Sequence, residues 1–291
     1  MKVQLSGGDD RNLMERLLEK QIPLANSCNG KGTCGKCKVK VVSGTITDVT
    51  DTERRLLTEK EVAGRMRLAC MTKARGEVVI ETGEVEEDHV FTTGGVEGHF
   101  KRDADKHGYG LAVDIGTTTV VATLICLDDG TEKATYAQIN PQKTYGLDVL
   151  TRITYETEHK EEAISQLQKA IVQGLNEAAT AVCNEAGIEV TEITEIDVAA
   201  NCTMLHMLAG VDARPIGRAP YKPAFTDGQK LKARDLGLMG ATDATVYLLP
   251  SVSAYIGADI VAGVYVCDLR HASGKTLFID IGTNGELVLE A

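Results

Sequence analysis

Short apolar stretches separated by polar, glycine-bearing ones open the chain. Val3-Gln-Leu5 has the two-residue period of a strand, and Asn12 to Lys20 places Leu13, Leu17 and Leu18 on one face of a short helix. Pro23 is expected to end that helix. Lys38-Val-Lys-Val-Val42 alternates as a strand, Gly44 is expected to turn it, and Thr52 to Val62 reads as another helical stretch. Arg67-Leu-Ala-Cys70 and Glu77-Val-Val-Ile-Glu81 predict two short closing strands. Periodicity then lapses. Residues 84–108, with Glu84-Val-Glu-Glu-Asp88, Thr92-Thr-Gly-Gly95 and Lys101-Arg-Asp-Ala-Asp-Lys106, read as a connector, either a tether or a segment packed on the surface.

The remaining chain contains an internal echo. Leu111 to Leu124 and Leu277 to Leu289 each run from an apolar strand through Asp-Ile-Gly-Thr into a second alternating strand. Two such copies suggest related lobes rather than a tandem array. Between them, Glu161 to Glu185 carries Ile164, Leu167, Ile171, Leu175, Ala178 and Val182 at helical spacing, and Gly187 is the expected stop. That stripe reads as core. Asp197 to His206 predicts a strand entering a helix, with Asn201 and Thr203 placed to cap it or to reach a ligand, and His206 as a structural residue. Leu248 to Asp259 is expected to open a further helix, with Asp259 a candidate for the cleft. The expected domains are residues 1–83, a connector over 84–108, a first lobe over 109–200, and a continuation over 201–291.

At 291 residues the chain accommodates two cores. Its 43% apolar content describes a globular protein, and no run approaches the roughly 18 apolar residues of a membrane helix. The first ten residues lack the apolar centre of a signal peptide, so a cytoplasmic protein is expected, with Cys126, Cys183, Cys202 and Cys267 as thiols. Residues 1–83 carry a net charge of +4 and the rest −15. The acidic body argues against nucleic acid as a partner, and the lack of a long apolar run against a membrane. The basic segment reads either as charge-steered docking, on its own body or on an acidic partner, or as ordinary solvated surface.

Four cysteines change the picture most. Cys28, Cys34 and Cys37 form C-x5-C-x2-C in a loop with Gly30, Gly32 and Gly35, and Cys70 stands alone. A [2Fe–2S] cluster needs four thiolates, and glycines let the loop curl with positive φ and turn its N–H groups toward the sulfides. A structural zinc site or unrelated reduced cysteines are the alternatives, but structural zinc draws on two C-x2-4-C pairs. In the Asp-Ile-Gly-Thr turns, the glycine admits a tight bend while N–H groups and hydroxyls can hold phosphate. An Asp at the strand end can hold a hydrated Mg²⁺ or orient water. One such turn also serves purely structural hairpins; two, each flanked by apolar strands, point to a nucleotide site. No Walker A motif occurs.

The order of elements in residues 1–83 resembles the α+β β-grasp ferredoxin fold, with a cysteine loop one residue longer than the plant type, as in adrenodoxin-like ferredoxins. Such domains open with a hairpin, whereas only one strand fits before Asn12. The twin turns resemble the phosphate loops of the acetate kinase, sugar kinase, Hsp70 and actin superfamily, an α/β actin-like ATPase fold. Asp114, Gly116, Thr117 and Thr118 match the first loop; Asp280, Gly282, Thr283, Asn284 and Gly285 match the second. Together, the cysteine loop, Asn140-Pro-Gln, Gly146 to Ile153, Asn201 to His206, Pro250 to Asp259 and Asp280 to Gly285 resemble the reductive activators of corrinoid proteins.

That resemblance implies a [2Fe–2S] cluster on Cys28, Cys34, Cys37 and Cys70, and ATP with Mg²⁺ at the two loops, with Asp114 and Asp280 in catalytic positions. It also implies a corrinoid iron-sulfur protein or corrinoid methyltransferase component as partner, reduced from Co(II) to Co(I), and a low-potential electron donor. The chain ends eleven residues after Asp280, so the second lobe is expected to be incomplete and the chain a piece of a longer protein. Competing readings are a plain electron-transfer module with a vestigial nucleotide domain, and an ATPase in which the cluster senses redox state.

Overall fold

The computed structural model describes residues 1–20, 22, 24, 30–82, 103, 105–282 and 285–290. Pro23, Cys28, Thr283, Asn284 and most of the expected connector, residues 84–102 and 104, lie outside them. Two compact units are present.

The first unit contains β1 (Lys2–Leu5), α1 (Leu13–Glu19), β2 (Lys38–Ile46), α2 (Asp51–Leu56), α3 (Glu59–Ala63), β3 (Met66–Leu68) and β4 (Ala74–Thr82). Its sheet has the order β1-β4-β2-β3, and every pairing is antiparallel. Val3 and Leu5, Val39 and Val41, and Val78 and Ile80 alternate onto one face, where Leu13 and Leu17 of α1 complete the core. Asn12 starts α1 through a capping box with Glu15. No second strand precedes α1 among the described residues, and β1 is an edge of the sheet.

Three local expectations need correction. The stretch from Thr52 to Val62 is two helices. Leu57 takes an extended conformation, and Thr58 starts α3 with its own capping box to Glu61, a local bond that competes with continuing the helix. Cys70 lies beyond β3, which ends at Leu68. Gly44 does not turn β2; it stays in the strand at φ 96°, between two register shifts against β4. This is a bulge, which bends the strand without ending it.

The second unit contains β5 (Tyr109–Ile115), β6 (Thr119–Cys126), β7 (Glu132–Ile139), α4 (Val149–Ala186, from Arg152 onward), β8 (Ile193–Ala200), α5 (Cys202–Ala209), β9 (Gln229–Lys232), α6 (Ala233–Leu236), β10 (Thr245–Leu248), α7 (Ala258–Val266), β11 (Thr276–Ile281) and β12 (Gly285–Glu290). Six strands form one mixed sheet in the order β7-β6-β5-β8-β10-β9. The parallel centre β5-β8-β10 is flanked by the antiparallel β6 and β7 on one side and β9 on the other. In α4, Leu167, Ile171, Leu175, Ala178 and Val182 are buried as the periodicity predicts, and Gly187 ends the helix at φ 71°. The helix is longer than its apolar stripe, but Lys160 leaves helical geometry just before the expected start.

Helix α7 begins ten residues later than expected. Ser253 Oγ accepts the Tyr255 and Ile256 N–H groups at 3.2 and 3.1 Å, a serine turn that occupies the backbone before Gly257 caps the helix. Both Asp-Ile-Gly-Thr segments lie at hairpins. β5 pairs with β6, and β11 with β12 as a separate two-stranded sheet.

Gly44 offers a direct check. A Cβ there would sit 2.3 Å from Glu77 O and 2.7 Å from Val78 Cα. Gly44→Ala is expected to destabilise the first unit by about 2–4 kcal/mol, from positive-φ strain and the backbone clash combined. A lowered urea midpoint at unchanged m would show it.

Candidate functional site

Gly30, Gly32 and Gly35 all have positive φ, at 79°, 70° and 66°, so the cysteine loop curls on itself. Cys34 is half-buried, while Cys37 and Cys70 are buried with their Sγ atoms 3.3 Å apart. That separation exceeds the roughly 2.05 Å of a disulfide. Two buried thiol sulfurs this close in an apolar core have the chemistry of a shared metal ion, and a [2Fe–2S] cluster takes two ligands per iron. Cys37 and Cys70 fit one iron of that group; Cys34 is not gathered with them around a single ion, and Cys28 lies outside the described residues.

The strand leading to Cys70 is held by a buried ion pair. Arg67 donates from Nε and Nη2 to the two oxygens of Glu53, each at 2.8 Å, and also to the carbonyls of Thr47 and Asp48. Glu53 Oε1 further accepts the Leu68 N–H and the Thr72 hydroxyl, at 3.0 and 3.1 Å, so it grips the chain on both sides of Cys70. Burial raises the Glu53 carboxyl, but Arg67 and the Thr50 and Leu68 N–H groups outweigh it and hold the pKa down at about 2. Ala69 N–H donates to Cys37 O at 2.8 Å, tying the two cysteine segments together.

In the second unit, Asp114, Gly116, Thr117, Thr118, Asp280 and Gly282 line one cavity of about 340 Å³. Gly285 opens β12 outside that lining. Asn201, Asp259 and Glu286 join the wall. Asn201 both caps α5, accepting the Met204 N–H at 3.0 Å, and donates to the Thr117 hydroxyl at 3.2 Å. Asp259 arrives through a close backbone approach. A Cβ on Gly257 would lie 2.4 Å from Asn201 Cα, so only glycine lets α7 start there.

The cavity gathers negative charge. Asp280 stands directly opposite Glu286 across the hairpin, a like-charge pair that costs stability without a counter-ion. Enclosure, then the Asp259 and Asp280 carboxylates, push the Asp114 pKa up to about 6. Burial first and neighbouring carboxylates next raise Glu286; burial also raises Asp259, outweighing the Ile260 N–H that opposes it, with Asp280 adding to the rise. Among the described residues no three His, Cys, Asp or Glu side chains lie close enough to hold one bare ion. Such a wall fits a cation that keeps its water, as Mg²⁺ does.

His206 lies elsewhere and is fully buried. Nδ1 contacts Cys202 O at 2.7 Å, Nε2 accepts the Ala224 N–H at 3.0 Å, and the ring stacks on Phe225. These partners assign a neutral ring, and burial lowers its pKa accordingly. Sequence reasoning passed over Glu286 and Thr119. Glu286 had a signal, since a hairpin turning through Gly282 to Gly285 sets it opposite Asp280.

Residues 1–75 match the family described as the 2Fe-2S iron-sulfur cluster binding domain, and residues 109–272 match the RACo middle region. A curated relative from Eubacterium limosum, "Corrinoid activation enzyme RamQ", is 33% identical over 187 residues, which are 64% of this chain and 31% of the relative. The ferredoxin-type domain has other kin: a component of the Na(+)-translocating NADH-quinone reductase of Chlamydia felis is 34% identical over 73 residues, 25% of this chain and 17% of that protein. A solved structure titled "Reductive activator for corrinoid,iron-sulfur protein" superimposes with a TM-score of 0.61 at 27% identity, covering 98% of this chain and 59% of that one. The chain therefore spans about a third of the curated relative and about three fifths of the solved one. No helix among the described residues is long and apolar enough to cross a membrane. With the RACo middle region matched over more than half of its length, behind a [2Fe–2S] domain, the chain belongs to the RACo family, the reductive activators of corrinoid proteins.

Proposed function

We propose that this chain delivers electrons in an ATP-driven activator that returns the cobalt of a corrinoid protein from Co(II) to Co(I) in the cytoplasm. The observation that carries the reading is the pairing, in one chain, of buried thiols 3.3 Å apart with a carboxylate-walled cavity between two Asp-Ile-Gly turns. Family membership and the names of the relatives support it. A [2Fe–2S] cluster, when bound, supplies one electron at a time. Cys28, Cys34, Cys37 and Cys70 would hold it, within a domain spanning residues 1–83. Residues 109–291 would bind nucleotide. Asp114 and Asp280 would orient hydrated Mg²⁺, with Gly116, Thr117 and Thr118 on one side and Gly282, Thr283, Asn284 and Gly285 on the other holding phosphate. The cobalt gains one electron, a low-potential donor loses one, and ATP supplies the drive. The partner is a corrinoid iron-sulfur protein or a corrinoid methyltransferase component.

Anaerobic purification followed by EPR, then reduction of a Co(II) corrinoid protein with and without MgATP, tests the proposal. A rhombic signal on reduction and MgATP-dependent loss of the Co(II) spectrum are expected; reduction indifferent to ATP would overturn the coupling. Cys70→Ser should abolish the cluster spectrum and leave MgATP binding intact, and Asp114→Ala should do the reverse.

Asp114 supplies a pH test. Its pKa of about 6 lies above the ordinary 3.8, so the folded state favours the protonated form. Without a cation, ionising Asp114 costs the fold stability as pH rises from about 4 through 6. A bound cation offsets that cost and binds the ionised form. The thermal shift produced by MgCl2 is therefore expected to grow from pH 5 to pH 7.5 and to lose that growth in Asp114→Asn. A shift independent of pH would remove Asp114 from the cation site.

A further inference from the structure

The turn that follows Asp114 is held from behind by buried donors. Asn140 Nδ2 donates to Gly116 O at 2.7 Å, the Arg152 guanidinium donates through Nη2 to Thr117 O, and Asn140 N–H donates to Thr118 O at 2.8 Å. Three consecutive carbonyls are thus engaged, two by buried side chains and the third by the Asn140 backbone. Asn140, Gln142 and Arg152 are each fully buried. They also brace one another. Asn140 Oδ1 accepts the Gln142 N–H at 2.9 Å, and Gln142 Nε2 donates to Leu167 O in α4 at 3.0 Å. Arg152 Nη1 reaches Gln142 Oε1 at 3.3 Å and Met204 Sδ at 3.0 Å.

In a planar trans peptide the N–H points opposite to the C=O. Engaging the carbonyls of Gly116 and Thr117 on buried donors therefore turns the following N–H groups away from those donors, toward the cavity that Thr117, Thr118 and Thr119 line. Consecutive N–H groups on one side of a turn make a concavity suited to an anion. The rest of the wall opposes that use, because Asp114, Asp259, Asp280 and Glu286 repel phosphate. Arg152 places a permanent positive charge beneath the loop, and its low-dielectric surroundings screen it weakly.

We propose that Arg152 is the positioning residue of this loop. With Asn140 it locks the loop in its anion-accepting orientation and supplies the charge that lets an acidic cavity take the phosphate tail of a Mg-nucleotide in addition to a hydrated cation. The proposal rests on the nucleotide reading above.

Two ligands with opposite charge demands test it on the full chain: MgATP, measured by calorimetry, and MgCl2 alone, measured by thermal shift. In Arg152→Met, MgATP affinity should fall at least about tenfold, the scale of one lost charged hydrogen bond. The MgCl2 shift should stay or increase, because the acidic wall has lost its opposing charge. A purely structural role would weaken both responses together, and that parallel loss would overturn the proposal, as would MgATP affinity within about twofold of wild type. If the wild-type chain responds to MgCl2 but does not bind MgATP, the nucleotide reading itself fails and this inference with it. Should Arg152→Met not fold, Arg152→Lys serves. It keeps the charge and loses the fork that spans Thr117 O and Gln142 Oε1, so MgATP binding should weaken several-fold with the MgCl2 shift unchanged. Wild-type affinity in Arg152→Lys would then be the overturning result.

Discussion

Taking a charge out of water costs several kcal/mol unless the protein surrounds it with partners, and both units are organised around charges buried in this way. In the first, Glu53 and Arg67 satisfy one another and the backbone on either side of Cys70. The cysteine is then presented by a segment that cannot relax without exposing an unpaired ion. In the second, Arg152 is satisfied by a carbonyl of the loop after Asp114. The loop's shape and the ion's burial each depend on the other. Each unit thus spends its most demanding interaction on holding the backbone next to its chemistry.

The two chemistries make opposite demands of their surroundings. Thiolate ligands sit best in a dry, apolar setting, and Cys37 and Cys70 belong to the same buried core as Leu13, Met14, Leu57 and Leu68. The proposed phosphate site needs polar walls and room, and the cavity beside Asp114 has both. Neither environment could be built inside the other, which is a physical reason for two separate cores in one chain.

Much of this was legible in the sequence because the signals are local. The loop glycines announce positive φ, and the two Asp-Ile-Gly-Thr segments announce tight reversals between strands. The α4 stripe from Ile164 to Val182 announces a buried helical face. What escaped were features set by a distant partner. Glu53 reads locally as the third residue of a capping box begun by Thr50, and nothing nearby says that Arg67 will claim it. Gly44 reads as a turn because a bulge is recognisable only against β4. The late start of α7 follows from Ser253 capturing backbone that apolar spacing assigned to a helix. Asn140 and Arg152 belong to segments that carry the family resemblance, but only the fold sets them against the carbonyls of residues 116–118.

The hairpin of β11 and β12 carries Leu277, Ile279, Ile281, Leu287 and Leu289 on a solvent-facing side. Two strands alone are marginal in water, and here the opposite side sets Asp280 against Glu286. In the isolated chain the hairpin therefore belongs to the low end of the local-stability scale, opening more often than the six-stranded sheet. An element so lightly held is readily biased, and a cation that neutralised its acidic side would favour the paired hairpin by mass action. The hairpin would then report occupancy of the cavity in its own rate of opening, where amide exchange would register it first.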